Sequence, residues 1–333
     1  MNMLSSYKKK NKACTKKNKL TQTTTATPLK GRAIVVHGEH VSVEDSRQII
    51  YRCSFKKRIG TVVCGDHVLW NEAPHKTGVV TKILPRHSLL ARPDIRGKLK
   101  PIAANLDQLI IVVAPRISHA KNDLNTQLTS HCELPETELI DRYIAAAETA
   151  SMTPVIVFNK IDLLDEQQHE EALIKYKIYE QIGYQTQMTS MQKNIGLQQL
   201  GDLLTHRTSA FVGQSGVGKS SLINCYLPHA NVTTGTVSVL SGLGRHTTTT
   251  TILYHLPEGG QLVDSPGVRE FGLGEIDKAS FDSQFIEFRP YLGLCKFNNC
   301  RHLSEPKCAV IDAVQQGEID SNRFNNYQKL LNL

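Results

Sequence analysis

No hydrophobic run in this 333-residue sequence approaches the ~18 apolar residues that a membrane-spanning helix needs. The longest strand-like stretch is LIIVVA at 109–114. An apolar signal core is also missing near the N-terminus, so secretion is not expected. Acidic residues are absent from residues 1–32, which hold lysines at 8, 9, 10, 12, 16, 17, 19 and 30 together with Arg32. That segment carries +9 against +8 for the whole chain, so the remainder is close to neutral. Large apolar residues are nearly absent there, and such a tail cannot bury enough surface to fold alone. It is expected to be disordered, which is compatible with a nucleic-acid arm drawing affinity from counterion release. An organellar transit peptide fits less well, because lysine rather than arginine supplies the charge. Cysteine is sparse and scattered at 14, 53, 64, 132 and 225, as small buried residues are. Cys295, Cys300 and Cys308 instead crowd into fourteen residues with His302. Without a signal peptide, such crowding points to metal before disulfides.

The length predicts two or three domains. Residues 33–100 present short β-like runs, RAIVVHG, HVSVED, QIIYRCSF, GTVVCGDHVLWN and TGVVTKILPR, separated by glycine and charged turns. That spacing predicts a small barrel or sandwich, with an oligonucleotide-binding (OB) barrel as one candidate. Lys56, Lys57, Arg58, Lys82, Arg86, Arg92, Arg96, Lys98 and Lys100 fall within it. From about 105 the texture becomes βαβ: LDQLIIVVA, then the helical LIDRYIAAAETA, then MTPVIVFNK, with a polar surface loop expected at 117–137. A parallel sheet with crossover helices follows from that rhythm. From about 277 the chain reads as helical around the Cys/His cluster.

The stretch FVGQSGVGKSS at 211–221 contains the full G-x-x-x-x-G-K-[ST] pattern. Gly213, Gln214, Ser215, Gly216, Val217 and Gly218 would turn backbone N–H groups inward around phosphate oxygens, with Ser221 in the opening helix. Lys219 would reach the β- and γ-phosphates and Ser220 would ligate Mg²⁺. The base is read elsewhere. In Asn159-Lys160-Ile161-Asp162, the Asp162 carboxylate matches the N1–H and 2-amino donors of guanine, which adenine does not present. Asn159 suits the acceptor edge, and the Lys160 stem can cover the ring. The motif ends a strand, where open α/β sheets place ligands. Thr189-Ser190-Met191 follows about thirty residues on, with Ser190 as a second base-loop residue. Asp264-Ser-Pro-Gly267 fits D-x-x-G, with Asp264 directed to Mg²⁺ and the Gly267 N–H to the γ-phosphate. One threonine of GLGRHTTTTT at 242–251 would complete the Mg²⁺ shell, and Thr248 is favoured.

The base motif thus precedes the phosphate loop by about fifty residues, the reverse of ordinary GTPases. This order is that of a circular permutation, which a packed sheet tolerates because domain termini lie close together at the surface. It also makes the γ-phosphate-sensing segment lead directly into the C-terminal region. The residue after D-x-x-G is Val268, where many GTPases carry a water-orienting glutamine. A replacement must come from elsewhere, either His246 or a partner, and His246 equally suits a structural switch role. Cys295-x4-Cys300-x-His302-x5-Cys308 supplies three thiolates and one imidazole, a donor set for one closed, structural Zn²⁺ site. Adjacent Lys296, Arg301 and Lys307 are available to phosphate backbones or to solvent.

These residues resemble the RsgA (YjeQ) family of circularly permuted, ribosome small-subunit-dependent GTPases. The resemblance is carried by AANLDQLIIVVA, VIVFNKIDLL, GQSGVGKSSLIN, GRHTTTT, DSPGVREFGL, YLGLCKFNNCRH and EPKCAV, and spans about 33–333. It leaves the basic tail at 1–32 outside and implies an OB-fold barrel at 33–102, an α/β P-loop GTPase domain, circularly permuted, at 103–276, and a helical zinc-binding domain at 277–333. It also implies binding of GTP and GDP at Asn159–Asp162 and Gly213–Ser221, zinc at the Cys/His cluster, and late maturation of the small ribosomal subunit through contacts with its rRNA. A cytoplasmic monomer without membrane contact is expected. Two other classes stand beside this: an rRNA-binding scaffold using GTP as a structural ligand, and an ATP-dependent enzyme. Intact Lys219, Ser220 and Asp264 count against the first, and the NKID sequence against the second.

Overall fold

A computed structural model of the chain describes residues 27–93, 99–120, 129–227, 251–265 and 280–332. The first five strands are β1 (Leu29–His37), β2 (His40–Glu44), β3 (Ile50–Phe55), β4 (His67–Ala73) and β5 (Thr77–Ile83). They run in the order β1-β2-β3-β5-β4, and β1 pairs back onto β4 to close a barrel. Each of the five expected runs therefore supplies one strand. The first begins at Leu29, ahead of the expected barrel start at 33, because Leu29 and Lys30 pair with Trp70 and Leu69 across the closure. A strand recruited by its partner leaves no mark in its own composition. Trp70, the single tryptophan, fills the interior with its ring centroid 4.5 Å from that of Tyr51. Gly78 makes room for it: a Cβ there would lie 2.6 Å from Trp70 Cε3.

A two-stranded ribbon follows, β6 (Leu89–Pro93) with β7 (Leu99–Ala104), and then β8 (Gln108–Val113), buried along its whole length. The segment expected as a surface loop instead contains an antiparallel pair, β9 (Arg116–Ala120) with β10 (Thr129–Glu133). Its backbone ladder defines it, and the sequence shows no hydrophobic alternation there. Next come α1 (Thr137–Thr149), β11 (Thr153–Asn159), α2 (Glu166–Ile182), β12 (Gln185–Thr189), α3 (Leu197–Leu204), β13 (Thr208–Val212), α4 (Lys219–Tyr226), β14 (Ile252–His255) and β15 (Gln261–Asp264). Helix α2 is held at both ends, by an Asp165–Gln168 capping box and by left-handed Gly183.

Strands β12, β11, β8, β13 and β15 form a parallel sheet, with β14 antiparallel at its edge. Alternation along β8 sends Leu109, Ile111 and Val113 to one face, under α1 and α2, and Ile110 and Val112 to the other, under α3 and α4. β14 also pairs with β1 through Ile252 and Val35, so barrel and sheet are one continuous structure. A polar seam backs that junction: Glu44 receives His255 at 2.8 Å, and Arg32 donates to Thr208 Oγ1 at 3.0 Å.

Beyond residue 280 the chain forms short 3-10 turns (Phe281–Gln284 and Ile286–Tyr291) and two helices, α5 (Ala309–Gln315) and α6 (Ser321–Leu331). They close on an aromatic core of Phe281, Phe285, Phe288, Phe324 and Tyr327. Tyr327 donates its hydroxyl to the Arg301 carbonyl at 2.9 Å, tying α6 to the cysteine loop. No helix among the described residues is long and apolar enough to cross a membrane.

Candidate nucleotide site and metal centre

The phosphate loop starts where β13, buried throughout, runs out beside β8. Gly213 has φ +141°, and a Cβ there would stand 2.1 Å from the Val112 carbonyl oxygen. Only glycine allows the chain to leave the sheet so close to its neighbour. Gly216 and Gly218 also sit in the left-handed region. Lys219, the first residue of α4, is buried and folds back, donating from Nζ to the carbonyls of Gly213 at 2.7 Å and Gln214 at 2.6 Å. The ammonium is thereby held inside the loop, with Ser215 and Gly216 exposed at its rim, Ser220 half-buried and Ser221 exposed. Asp264 ends β15, the strand paired with β13, on the same side of the sheet.

The NKID turn meets this loop directly. Asn159 is the last residue of β11 and is buried; its Nδ2 donates to the Val217 carbonyl at 2.9 Å. Lys160 adopts φ +61° and donates from Nζ to the Gly216 carbonyl at 2.6 Å. Two turns far apart in sequence are thus joined by hydrogen bonds into one site. Ile161 is buried beneath the turn, and Asp162 accepts from Ser190 Oγ at 2.5 Å. Ser190 is fixed in turn: its Oγ accepts from the Lys193 N–H at 3.0 Å, and its backbone pairs with Ile195. A cavity of about 460 Å³ opens beside Asp162, with Lys193 and Ile195 among its lining. Sequence reasoning placed Thr189 in the second base loop but named only Ser190 as a contact. The Thr189 hydroxyl donates to Asn159 Oδ1 at 2.9 Å, which orients the amide so that Nδ2 faces the loop. Its position at the end of β12, parallel to β11, was the available signal. His246, Thr248 and Gly267 lie outside the described residues.

The second constellation is in the C-terminal part. One donor atom from each of Cys295, Cys300, His302 and Cys308 falls within 4.8 Å of all the others. Cys295 Sγ and Cys308 Sγ are 3.8 Å apart, and His302 Nδ1 lies 3.6 Å from Cys295 Sγ and 3.2 Å from Cys308 Sγ. A tetrahedral ion about 2.3 Å from each sulfur sets sulfurs about 3.8 Å apart, so the residues present fit a metal. His302 turns its other nitrogen, Nε2, to Asp282 Oδ2 at 3.4 Å. That carboxylate, missed by sequence reasoning, fixes the ring and leaves Nδ1 for the metal. Glu305 accepts the backbone N–H groups of Arg301, Leu303 and Ser304 and shapes the loop around His302. Burial disfavours its charge, but these donors outweigh burial and hold its carboxyl down to about 2.

Comparisons with known proteins find GTPases. The family model for the RsgA GTPase matches residues 83–274. The small ribosomal subunit biogenesis GTPase RsgA of Haemophilus influenzae (strain PittEE) is 44% identical over 307 residues, covering 90% of this chain and 84% of the relative. The protein of the same description from Actinobacillus pleuropneumoniae serotype 5b (strain L20) is 45% identical over the same coverage. Among solved structures, YjeQ from Thermotoga maritima aligns with a TM-score of 0.71 at 30% identity, covering 92% of this chain and 98% of that one. YloQ, described as a circularly permuted GTPase, aligns with a TM-score of 0.68 at 27% identity, covering 92% and 94%.

Proposed function

The chain belongs to the RsgA GTPase family and is a GTP hydrolase; from that premise we propose that it acts in late maturation of the small ribosomal subunit, which stimulates its turnover. The relatives' shared description as small ribosomal subunit biogenesis GTPases supports the partner. The observation that carries the site assignment is the pair of bonds from Asn159 and Lys160 to the carbonyls of Val217 and Gly216. These bonds support reading the Asp162 carboxylate as the guanine reader and the Lys219 ammonium as the phosphate binder of one site.

In this reading Asp162 receives the guanine donors, Asn159 and Ser190 hold that edge in place, and the stem of Lys160 covers the base. The N–H groups of 213–218 and Lys219 hold the phosphates and share the charge that develops on the transferring group. Mg²⁺, when bound, neutralises charge on the β- and γ-phosphates, and Ser220 and Asp264 are the residues that would hold it, with Thr248 completing the shell. Gly267 reports the γ-phosphate through its N–H, and His246 is the candidate in this chain for orienting water. The metal of the Cys/His cluster is assigned as zinc, in a structural role, because three thiolates and an imidazole in closed tetrahedral spacing suit it.

The barrel, about 33–102 with its first strand starting at Leu29, and the metal-bearing unit, about 277–333, flank the GTPase unit of 103–276. Both are assigned to ribosomal RNA, and the basic segment of 1–28, ahead of β1, would add affinity through counterion release. A role on ribosomal subunits supports a cytoplasmic protein, and a monomer is the assembly proposed. The test is GTP turnover with and without purified small ribosomal subunits at several salt concentrations. Subunits should raise turnover, and the gain should shrink as salt rises. Turnover indifferent to subunits would refute the partner, and competition by ATP equal to that by GTP would refute the base assignment.

A further inference from the structure

Val268 follows the D-x-x-G segment, so this chain carries no amide there to orient water. Besides a water-orienting group, such a site needs a cation on the transferring phosphoryl oxygens. Strand β8 runs parallel to β13, with Ile111 opposite Val212, so the C-terminal end of β8 opens against Gly213. Three residues past that end stands Arg116, the first residue of the β9–β10 pair, its backbone registered against Glu133. Its guanidinium donates through Nη2 to Oε1 of Gln214, the second residue of the phosphate loop. The carbonyl of that same Gln214 accepts from Lys219 Nζ at 2.6 Å. Two cations thus converge on one loop residue. Lys219 approaches from inside and is buried, whereas Arg116 approaches from outside and is exposed.

A neutral amide is a weak partner for a guanidinium beside a loop built for a polyphosphate. We propose that Arg116 is an arginine supplied in cis to the γ-phosphate: with GTP in the loop, its guanidinium moves from Gln214 Oε1 to the γ-phosphoryl oxygens and stays on them through the transition state. The water oxygen bonds to the γ-phosphorus as the bond from that phosphorus to the β–γ bridging oxygen breaks. The electron pair of the broken bond goes to the β-phosphate of GDP, and the protons of the water leave with the inorganic phosphate. Arg116 transfers no proton. It shares the negative charge that spreads over the γ-phosphoryl oxygens, as an arginine finger does. The β9–β10 ladder fixes the backbone from which it reaches.

This inference rests on the GTP-hydrolase reading, and its test separates the two. Single-turnover hydrolysis and fluorescent-GDP binding are measured on the full chain, on Arg116→Ala and on Arg116→Lys. The alanine variant should lose about 10²-fold in kcat while binding GDP within about twofold of the unchanged chain, because GDP has no γ-phosphoryl group. Lysine should restore little, since it lacks the bidentate fork. Millimolar guanidinium should recover part of the rate in Arg116→Ala and none in the unchanged chain. Stable binding of GDP with aluminium fluoride, which imitates the transferring phosphoryl group, should be lost in Arg116→Ala. An unchanged kcat in Arg116→Ala, or a loss matched by an equal loss of GDP affinity, would overturn the inference while leaving the GTPase reading intact. Absence of GTP turnover in the unchanged chain would overturn both.

Discussion

Arg323 of α6 meets Asp141 of α1 at 2.6 Å, with both side chains withdrawn from water. Around this pair, Tyr179 and Asn326 also donate to Asp141 at 2.7 Å and 2.6 Å, and Glu287 receives the other edge of the guanidinium at 2.7 Å. Burial disfavours the charge on Arg323, yet the two carboxylates outweigh it and hold the group above its ordinary value. The Phe285 ring lies 4.5 Å from the guanidinium carbon. This network locks the metal-bearing unit onto the helix that follows the β9–β10 pair. Removing one partner strands a buried charge, so Asp141→Ala should cost about 3–5 kcal/mol in urea unfolding. The double change Asp141→Leu with Arg323→Met should recover much of that loss, because no unpaired charge then remains.

Base recognition should follow the chemistry of Asp162. Replacing Asp162 by Asn offers an N–H where the carboxylate accepted one, which opposes the 2-amino group of guanine and suits the 2-oxo group of xanthine. Asp162→Asn should weaken GDP about 10²-fold or more and should favour xanthosine diphosphate instead. Fluorescent-nucleotide titration with both bases reads this directly. Equal affinity for GDP in the variant would remove Asp162 from the base site.

Gly218 leaves room for the Asn159 amide. A Cβ there would stand 2.3 Å from Asn159 Nδ2, at a φ of +98° that side chains rarely adopt. Gly218→Ala should push the NKID turn off the phosphate loop and lower GDP affinity by more than about tenfold, a loss of about 1.4 kcal/mol. Thermal unfolding without nucleotide should move far less than the melting temperature measured with saturating GDP.

Asp282 should tune the metal centre without touching the ion. Asp282→Asn removes the carboxylate from His302 Nε2 and should cost about 10- to 100-fold in metal affinity. Competition with a chromophoric chelator measures it. Chelation of the unchanged chain should loosen the Phe281–Phe288 and α6 core, read as lost hydrogen-exchange protection there.

The Glu305 carboxyl is held down to about 2, below its ordinary range in an unfolded chain. A lowered value in the folded state means stability that is fully present above about pH 4.5 and lost as pH falls toward 2. The gap in unfolding midpoint between the unchanged chain and Glu305→Gln should therefore be constant above pH 5 and should close by about pH 2. A gap that persists in acid would show that the carboxylate charge does not hold the loop.

The candidate nucleotide-site residues stand out in residue order alone. Glycines at 213, 216 and 218, a lysine and a serine at fixed offsets, and an aspartate three residues after Asn159 are chemical requirements that few other residues meet. The permuted order of the motifs was equally plain, since it is a property of the string, and so was the spacing of the Cys/His cluster. Other features belong to the tertiary structure because their partners are distant in the chain. Leu29 is a strand residue only because Trp70 lies across from it, and Thr189 orients Asn159 only because β12 and β11 run side by side. Arg116, Asp282 and the Asp141–Arg323 pair carried no local sign, because a lone charged residue looks the same whether it faces water or a partner. The sequence by itself determined which candidate groups this protein offers to a guanine nucleotide and a metal. Only folding decided which of those groups meet, because hydrogen bonds and ion pairs act over a few ångströms and pay no regard to separation along the backbone.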